Sequence, residues 1–508
     1  MFYPFLYAET HFRYKYFFSL YYKKEPEVIF DCPTLVSVPK VGLTLPVFLF
    51  VKDADKYPVT ITDIYITINS EDALLDIKLD DIKDISQKFF SAEIPIELNH
   101  KFLNHYIFTN IQFSINGKCY TNDNYFGQKR HIYKTYISEK ERLFTKNWHP
   151  GDPHYHSIYT NDQVEFGAPL SATKKCAISC DLDWFFVTDH SYDLDDTEDN
   201  YTETDPLLSK WHKLKAECKS LTDACMKTIH GEELSVGNHK NQNIHLLVAN
   251  NDRFYYGKGD SGEKLFDYQP DMKLTELKED PDIVFIAAHP FDKAPFFQRL
   301  ILNRGNWEEE DLKALPSKYL QIINGQPYHL VIKYINSYIE LLQKGYKFFI
   351  LAGNDAHGNF QYMKQIRLPF VRLMCRKQQT FGDYFTAFYH AKNDPVSGIK
   401  ANRIIVSNGP FVSFSILHYG SEYHIGQTIN AVNDEFEIKY EFTVEERFGE
   451  VKSLVLFYGS SDKVRTDFLD LNSKSIVLNS SKPSFCLVLL KTKKYYLAMT
   501  NPIWIDYE

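Results

Sequence analysis

Trp184-Phe185-Phe186-Val187-Thr188-Asp189-His190 reads as a short apolar strand that ends in an acid and an imidazole, and similar runs recur along the middle of the chain. Ile244 to Ala249, Ile283 to Ala288 and Phe348 to Ala352 are further apolar runs, separated by stretches with helical spacing. That alternation predicts βα units around a parallel sheet or barrel over 146–400. Within it, Val331, Ile332, Ile335, Tyr338, Ile339 and Leu342 fall at helical spacing ahead of Gly345, a C-cap.

On either side the period changes. Residues 1–145 alternate as strands do, with Phe12, Tyr14, Tyr16, Phe18 and Leu20 in one series and Ile64, Ile66 and Ile68 in another. Ile111, Phe113 and Ile115 run into Asn116-Gly117, a dipeptide that tolerates the positive φ of a hairpin turn. An N-terminal β-sandwich is expected there. Over 401–508 the alternation returns in Phe436, Ile438, Tyr440 and Phe442, with a buried run from Leu454 to Phe457, and predicts a C-terminal β-sandwich. The aromatic group Phe381, Tyr384, Phe385 and Phe388 reads as a helix packed on the central unit.

A chain of 508 residues has ample surface for two to four domains of roughly 150 residues each. The 57 basic and 66 acidic side chains give a net charge of -9 without a basic block, which disfavours general binding to nucleic acid or to an anionic membrane. No run reaches the ~18 apolar residues a transmembrane helix needs. Met1 to Tyr22 is interrupted by Glu9, His11, Arg13 and Lys15 and reads as a strand, not a signal peptide. Eight cysteines without a C-x-x-C pair suggest free thiols in a reducing, cytoplasmic setting.

Histidine carries the functional signal. His154-Tyr155-His156 is an H-x-H pair, the predicted strands that follow end in Thr188-Asp189-His190 and His230-Gly231-Glu232-Glu233, and the series continues with Ile244-His245-Leu246-Leu247, Ala288-His289-Pro290 and Asn354-Asp355-Ala356-His357. Any one of these imidazoles alone is more often a satisfied polar group near a core than a ligand. Their succession at strand ends, the active face of a parallel barrel, reverses that reading. Imidazoles and carboxylates suit Zn, Mn or Fe, and the donors exceed the first shell of one tetrahedral ion, so two or three divalent metals are expected. Clustered metals stabilise both oxygens of a displacement and lower the pKa of bound water toward ~7, which points to hydrolysis.

The ordered set H-x-H, T-D-H, G-x-E, strand-borne His, A-H-P and D-A-H resembles the PHP (polymerase and histidinol phosphatase) superfamily over about 146–400. The resemblance implies a distorted (β/α)7 barrel with a multinuclear metal centre and a metal-bound hydroxide. It assigns His154, His156, Glu233 and Asp355 to one metal, with Glu233 bridging to a second held by His245 and His289. His190 and His357 go to a third, and Glu233, Asp355 and His357 carry the catalytic role. The family spacing selects Glu233 over Glu232; His239 stands near His245 in sequence. Where the family has S-D-G, this chain has Thr160-Asn161-Asp162-Gln163, one residue late and without the glycine, and Asp162 is assigned to the third metal. Ser407-Asn408-Gly409-Pro410 and Ala498 to Trp504 resemble the carbaryl-hydrolase-type branch, in which a β-domain follows the barrel.

Lys293, Arg299 and Arg304 follow the A-H-P motif and are candidates to clamp a phosphate or carboxylate, with a solvated helix face as the alternative. Lys258 is a similar loop candidate, whereas Cys176 and Cys180 read as core contacts. The favoured function is phosphoester hydrolysis of a small anionic substrate, a phosphate ester or nucleotide, with nucleic acid less favoured. An ester, amide or carbamate hydrolase is the runner-up, and a metal-stabilised scaffold is the alternative from another class.

Overall fold

The computed structural model describes residues 26–507 apart from 125–130, 143, 145, 161–166, 199–202, 260–267, 363–378, 433–434, 461–462 and 480–481. The N-terminal aromatic stretch, Asp162 and Cys375 therefore lie outside the described residues. The fold is mixed α/β and rich in sheet, with few helices. Among the described residues no helix is long and apolar enough to cross a membrane. The seven described cysteines are free thiols, and Cys176 and Cys180 are buried in a core cluster.

Near the N-terminus, a sheet of Glu27–Asp31, Thr44–Lys52 and Phe89–Glu97 and a larger sheet that includes Val59–Asn69 and Tyr106–Ile115 share one core. Val59–Asn69 alternates buried and open positions, so Ile64, Ile66 and Ile68 enter that core while Asp63 and Tyr65 are exposed. Asn116 and Gly117, at φ 53° and 75°, turn Tyr106–Ile115 back into Lys118–Thr121.

The strands that position the site are neighbours in one sheet, in the order Phe349–Gly353, Tyr319–Asn324, Val284–Ala287, Asn243–Ala249, Lys227–Gly237, Trp184–Val187 and Trp148–Asp152. The sheet departs from the all-parallel expectation. Asn243–Ala249 runs antiparallel to both neighbours, and Lys227–Gly237 changes partner along its length, parallel to Trp184–Val187 and then antiparallel to Asn243–Ala249. The cause is a turn in place of a helix: Asn238 Oδ1 accepts from the amides of Lys240 and Gln242, and Asn241 takes φ 59°.

The helix predicted from Val331 to Leu342 is Tyr328–Gln343, with Gly345 at φ 86° just beyond it. The helix expected over Phe381 to Phe388 is instead the strand Phe385–Tyr389, antiparallel to Trp148–Asp152 and to Ile404–Ser407. Phe385 and Phe388 are both fully buried, and burial on both faces removes the alternation that would have marked a strand.

From Ile404–Ser407 the sheet continues into C-terminal strands, which share a core with a four-stranded sheet built on Phe411–His418 and Glu435–Thr443. Both flanks brace the chain around Asp355, one on the strand before it and one on the segment after it. Asn501 bonds both backbone groups of Ile350, at 2.6 and 2.9 Å. Asp31 accepts from the amide of Phe360 at 3.1 Å, and the Phe48 and Phe50 rings pack edge-on against Phe360.

Candidate metal centre

Past Trp148–Asp152 the chain breaks at Pro153 and resumes as Tyr155–His156, which pairs in parallel with Ala356–His357. This short pairing brings the H-x-H and D-A-H motifs together. Tyr155 turns away between the Phe185 and Phe381 rings, while His154 and His156 converge, their Nε2 atoms 3.0 Å apart. Asp355 adopts φ 51° and His289 φ 32°, left-handed backbone at two donor positions.

Glu233 sits at the middle of the cluster. Its Oε2 lies 3.2 Å from His156 Nε2, 3.2 Å from His190 Nδ1 and 3.4 Å from His154 Nε2. Its Oε1 lies 2.8 Å from His245 Nδ1 and 3.3 Å from His289 Nε2. Asp355 Oδ1 is 3.2 Å from His154 Nε2 and 3.1 Å from His156 Nε2. Three groupings have their donor atoms within 4.8 Å of one another: His154 with His156, Glu233 and Asp355; His190 with Glu233 and His245; and His156 with His190 and His357. The first is the set expected for one metal. The second puts His190 beside Glu233 and His245, with His289 close to Glu233, and the third joins His190 to His357 through His156.

These residues fit divalent metals on two observations. Glu233 Oε2 and Asp355 Oδ1 are buried and make no hydrogen bond among the described residues, although imidazole nitrogens stand within 3.4 Å. The imidazole tautomers follow from their other nitrogens. Nδ1 of His154 meets Gln321 Oε1 at 2.8 Å, Nδ1 of His156 meets Thr160 Oγ1 at 3.4 Å, and Nδ1 of His357 meets the Asp355 carbonyl at 3.1 Å. In its neutral, metal-binding form each of these three rings directs a bare Nε2 inward.

The electrostatics agree. Burial acts to raise Glu233 and Asp355, yet the surrounding imidazoles hold both carboxyls well below their usual range. Burial pulls His156 down, but Asp355 and Glu233 push it up to about 10. Burial and the charge on His156 bring His357 down to about 3 and His190 well below its usual value. A cation would meet two ionised carboxylates with neutral His190 and His357, and would displace the proton that the carboxylates hold on His156.

Of the proposed anion contacts, Arg304 is buried with Nη2 3.3 Å from His245 Nδ1, and it lines a cavity of about 300 Å³ shared with His245, His289 and Lys293. Arg299 is exposed over the Phe296 ring and is not among the cavity's lining residues. His239 is tied to Asp311 at 2.9 Å, away from the cluster, and Lys258 pairs with Asp271. Sequence reading missed the supporting polar groups: Gln321, Asn324 and Gln379, the last two donating to Asp355 Oδ2 at 3.1 and 2.8 Å. A lone glutamine inside the apolar strand Tyr319–Asn324 was the available signal.

No family model and no curated protein matches the chain. Among solved structures, a two-domain Bacteroides vulgatus protein described as containing a predicted PHP-like metal-dependent phosphoesterase overlaps it with TM-score 0.29 at 12% identity, over 72% of this chain and 98% of that one. A glycosyl hydrolase family 2 member from Bacteroides cellulosilyticus gives 0.18 at 8% identity, over 95% and 63% of the two chains. A Parabacteroides merdae β-glucuronidase gives 0.21 at 7% identity, over 95% and 64%. Overlaps this slight carry no argument about the fold or activity of this chain.

Proposed function

We propose that the chain is a metal-dependent phosphoesterase of the PHP type, acting on a small anionic ester, a phosphate ester or nucleotide. The observation that carries this reading is the pair of buried, ionised carboxylates, Glu233 and Asp355, faced by five imidazoles without hydrogen bonds to Glu233 Oε2 or Asp355 Oδ1. In its finer form the central strands are a distorted (β/α)7 barrel between two β-sandwiches, divided near 145 and 400, and the chain belongs to the carbaryl-hydrolase-type branch and works in the cytoplasm.

His154, His156, Glu233 and Asp355 would hold one ion, Glu233 with His245 and His289 a second, and His190 with His357 and Asp162 a third. Bound Zn, Mn or Fe would supply Lewis acidity, making water acidic near neutral pH and offsetting anionic charge. The chain's own groups do the positioning. Gln321 fixes the His154 ring, Asn324 and Gln379 fix Asp355, and Arg304 brings a permanent positive charge to the cavity beside His245. Hydrolysis breaks the bond from phosphorus to the ester oxygen; water's oxygen passes to phosphorus and its proton to the departing alcohol.

The test is metal content by plasma mass spectrometry on protein purified without chelator, paired with turnover of p-nitrophenyl phosphate, bis-(p-nitrophenyl) phosphate and p-nitrophenyl acetate with and without Mn. Two or three metals per chain, with phosphate turnover lost in Asp355→Ala, is the expected result. Acetate turnover alone would select the ester, amide or carbamate hydrolase. Absence of bound metal would overturn the enzyme reading in favour of a scaffold.

A further inference from the structure

A second cavity, of about 360 Å³, lies where the sheet of Thr44–Lys52 and Phe89–Glu97 meets the central unit, and it shares no lining residue with the cavity beside His245. Lys52, from that sheet, and Lys210, from the first turn of the helix Ser209–Leu221, both line it although they are only 4% and 5% exposed. Half-buried Lys88 is the third cation of the lining. Burying an ammonium is unfavourable unless acceptors replace its water. Lys210 Nζ donates to the Asp193 carbonyl at 2.9 Å, and among the described residues it has no ion-pair partner. A lysine has three N–H donors, so this buried ammonium has capacity for a further acceptor.

Two glutamates share the lining, and each has its own partner. Tyr159 Oη donates to Glu217 Oε2 at 2.8 Å, and burial together with Glu217 raises that phenol above its usual range, so it stays a donor. Exposed Glu198 pairs with Lys213, which is not among the lining residues, while Lys88 Nζ donates to the Glu198 carbonyl at 2.6 Å. Three lysines against two glutamates leave one positive charge in excess, which favours a monoanion over a phosphate dianion. Phe89, Ile158 and Pro169 supply apolar wall on which a ligand body can pack.

We propose that this cavity is a binding site for a small organic carboxylate, with its charged end on Lys210 and Lys52 and its apolar body against Phe89, Ile158 and Pro169. The site is distinct from the metal centre but adjoins it along the chain. Ile158 and Tyr159 connect His156 to Thr160, whose Oγ1 meets His156 Nδ1, and the carbonyl that Lys210 holds belongs to Asp193, in the helical turn that follows His190.

The test is calorimetric titration of the protein as purified with benzoate, phenylacetate and hexanoate, each against its neutral amide, and with acetate. At least one of the three acids should bind about tenfold or more tightly than both its amide and acetate. Lys210→Met, which keeps an unbranched arm without the charge, should bring the ratio of acid to amide to within about twofold, and Lys88→Met, at a less buried position, should lower it about threefold. Equal binding of every acid and its amide by the wild type overturns the proposal whether or not a variant folds. Acetate binding as tightly as the larger acids also overturns it, because the apolar wall then contributes nothing. A preference that survives in Lys210→Met, or that is unchanged in Lys88→Met where Lys210→Met does not fold, puts the carboxylate at the metals or elsewhere and overturns it too.

Discussion

Glu232 and Glu233 are consecutive on one strand and face opposite chemical environments. Glu233 enters the imidazole cluster, whereas Glu232 is buried on the other side, 2.6 Å from Asn251 Nδ2, 3.0 Å from the Tyr255 amide and 2.8 Å from Ser191 Oγ. The two-residue period of a strand enforces the separation. Glu233→Gln is expected to lose most bound metal, because it replaces an anionic donor that reaches both sides of the cluster, while Glu232→Gln should retain the wild-type metal content. Plasma mass spectrometry on the two variants checks this, and equal losses from both would refute it.

Glu232 also sets a pH dependence. Burial, aided by the charge on Asp195 and opposed by its hydrogen bonds, pushes its carboxyl from 4.5 up to about 8. A carboxyl raised in the folded state contributes stability that is fully present below about 4.5 and is lost as pH rises through about 8. Glutamine at this position has nothing to ionise and keeps an oxygen to accept from Asn251 Nδ2 and the Tyr255 amide, which both donate to Glu232 Oε1. Glu232→Gln should therefore gain stability over wild type as pH rises from 5 to 8.5, by an amount on the order of a few kcal/mol. Urea midpoints at three pH values for both proteins measure it, and a difference that stays constant with pH would exclude the effect.

The donor side chains were legible because they stand in or just after short apolar runs: His190, His289 and Asp355 follow the runs, whereas His245 lies within Asn243–Ala249 and Glu233 within Lys227–Gly237. The register within a run was less so. Phe385 and Phe388 are buried on opposite faces of a strand, so no alternation distinguished Phe385–Tyr389 from a helix. The hairpin between Glu233 and His245 depends on Asn238 bonding its own turn, a local event that the apolar pattern around it does not report. Gln321 and Asp189 act through partners far away in sequence, and residue type alone gives no means of pairing them.

Gln321 joins two donors through one chain of hydrogen bonds. Its Oε1 meets His154 Nδ1 at 2.8 Å, its Nε2 donates to Asn324 Oδ1 at 2.6 Å, and Asn324 donates to Asp355 Oδ2. Removing it frees the His154 ring to rotate and leaves Asn324 less constrained. Gln321→Ala should weaken metal affinity about 10- to 100-fold with the donor set intact. Competition against a chromophoric chelator gives the affinity directly, and an unchanged value would mean that His154 is oriented by packing alone.

Asp189, the acid of the T-D-H motif, is a loop anchor. Its Oδ1 accepts from the amides of Ser157 and Thr160 at 2.7 and 3.0 Å and from Thr160 Oγ1 at 2.7 Å, and its Oδ2 accepts from Ser157 Oγ at 2.7 Å. Because the Thr160 hydroxyl is spent as a donor on Asp189, its lone pair faces His156 Nδ1 and fixes that tautomer. Alanine at 189 leaves the Ser157 amide and the Ser157 and Thr160 hydroxyl donors without their acceptor, while the Thr160 amide keeps the Ser157 carbonyl, and each unsatisfied group costs about 1–3 kcal/mol before the loop relaxes. Asp189→Ala should thus lower the stability of the metal-free protein by several kcal/mol on the same scale and weaken metal binding at His156. Asp189→Asn keeps one acceptor oxygen and should fall between. Denaturant unfolding of the metal-free proteins, followed by metal titration of whichever variants fold, separates the two effects. A variant that loses metal affinity without losing metal-free stability would show instead that Asp189 acts at the metals themselves.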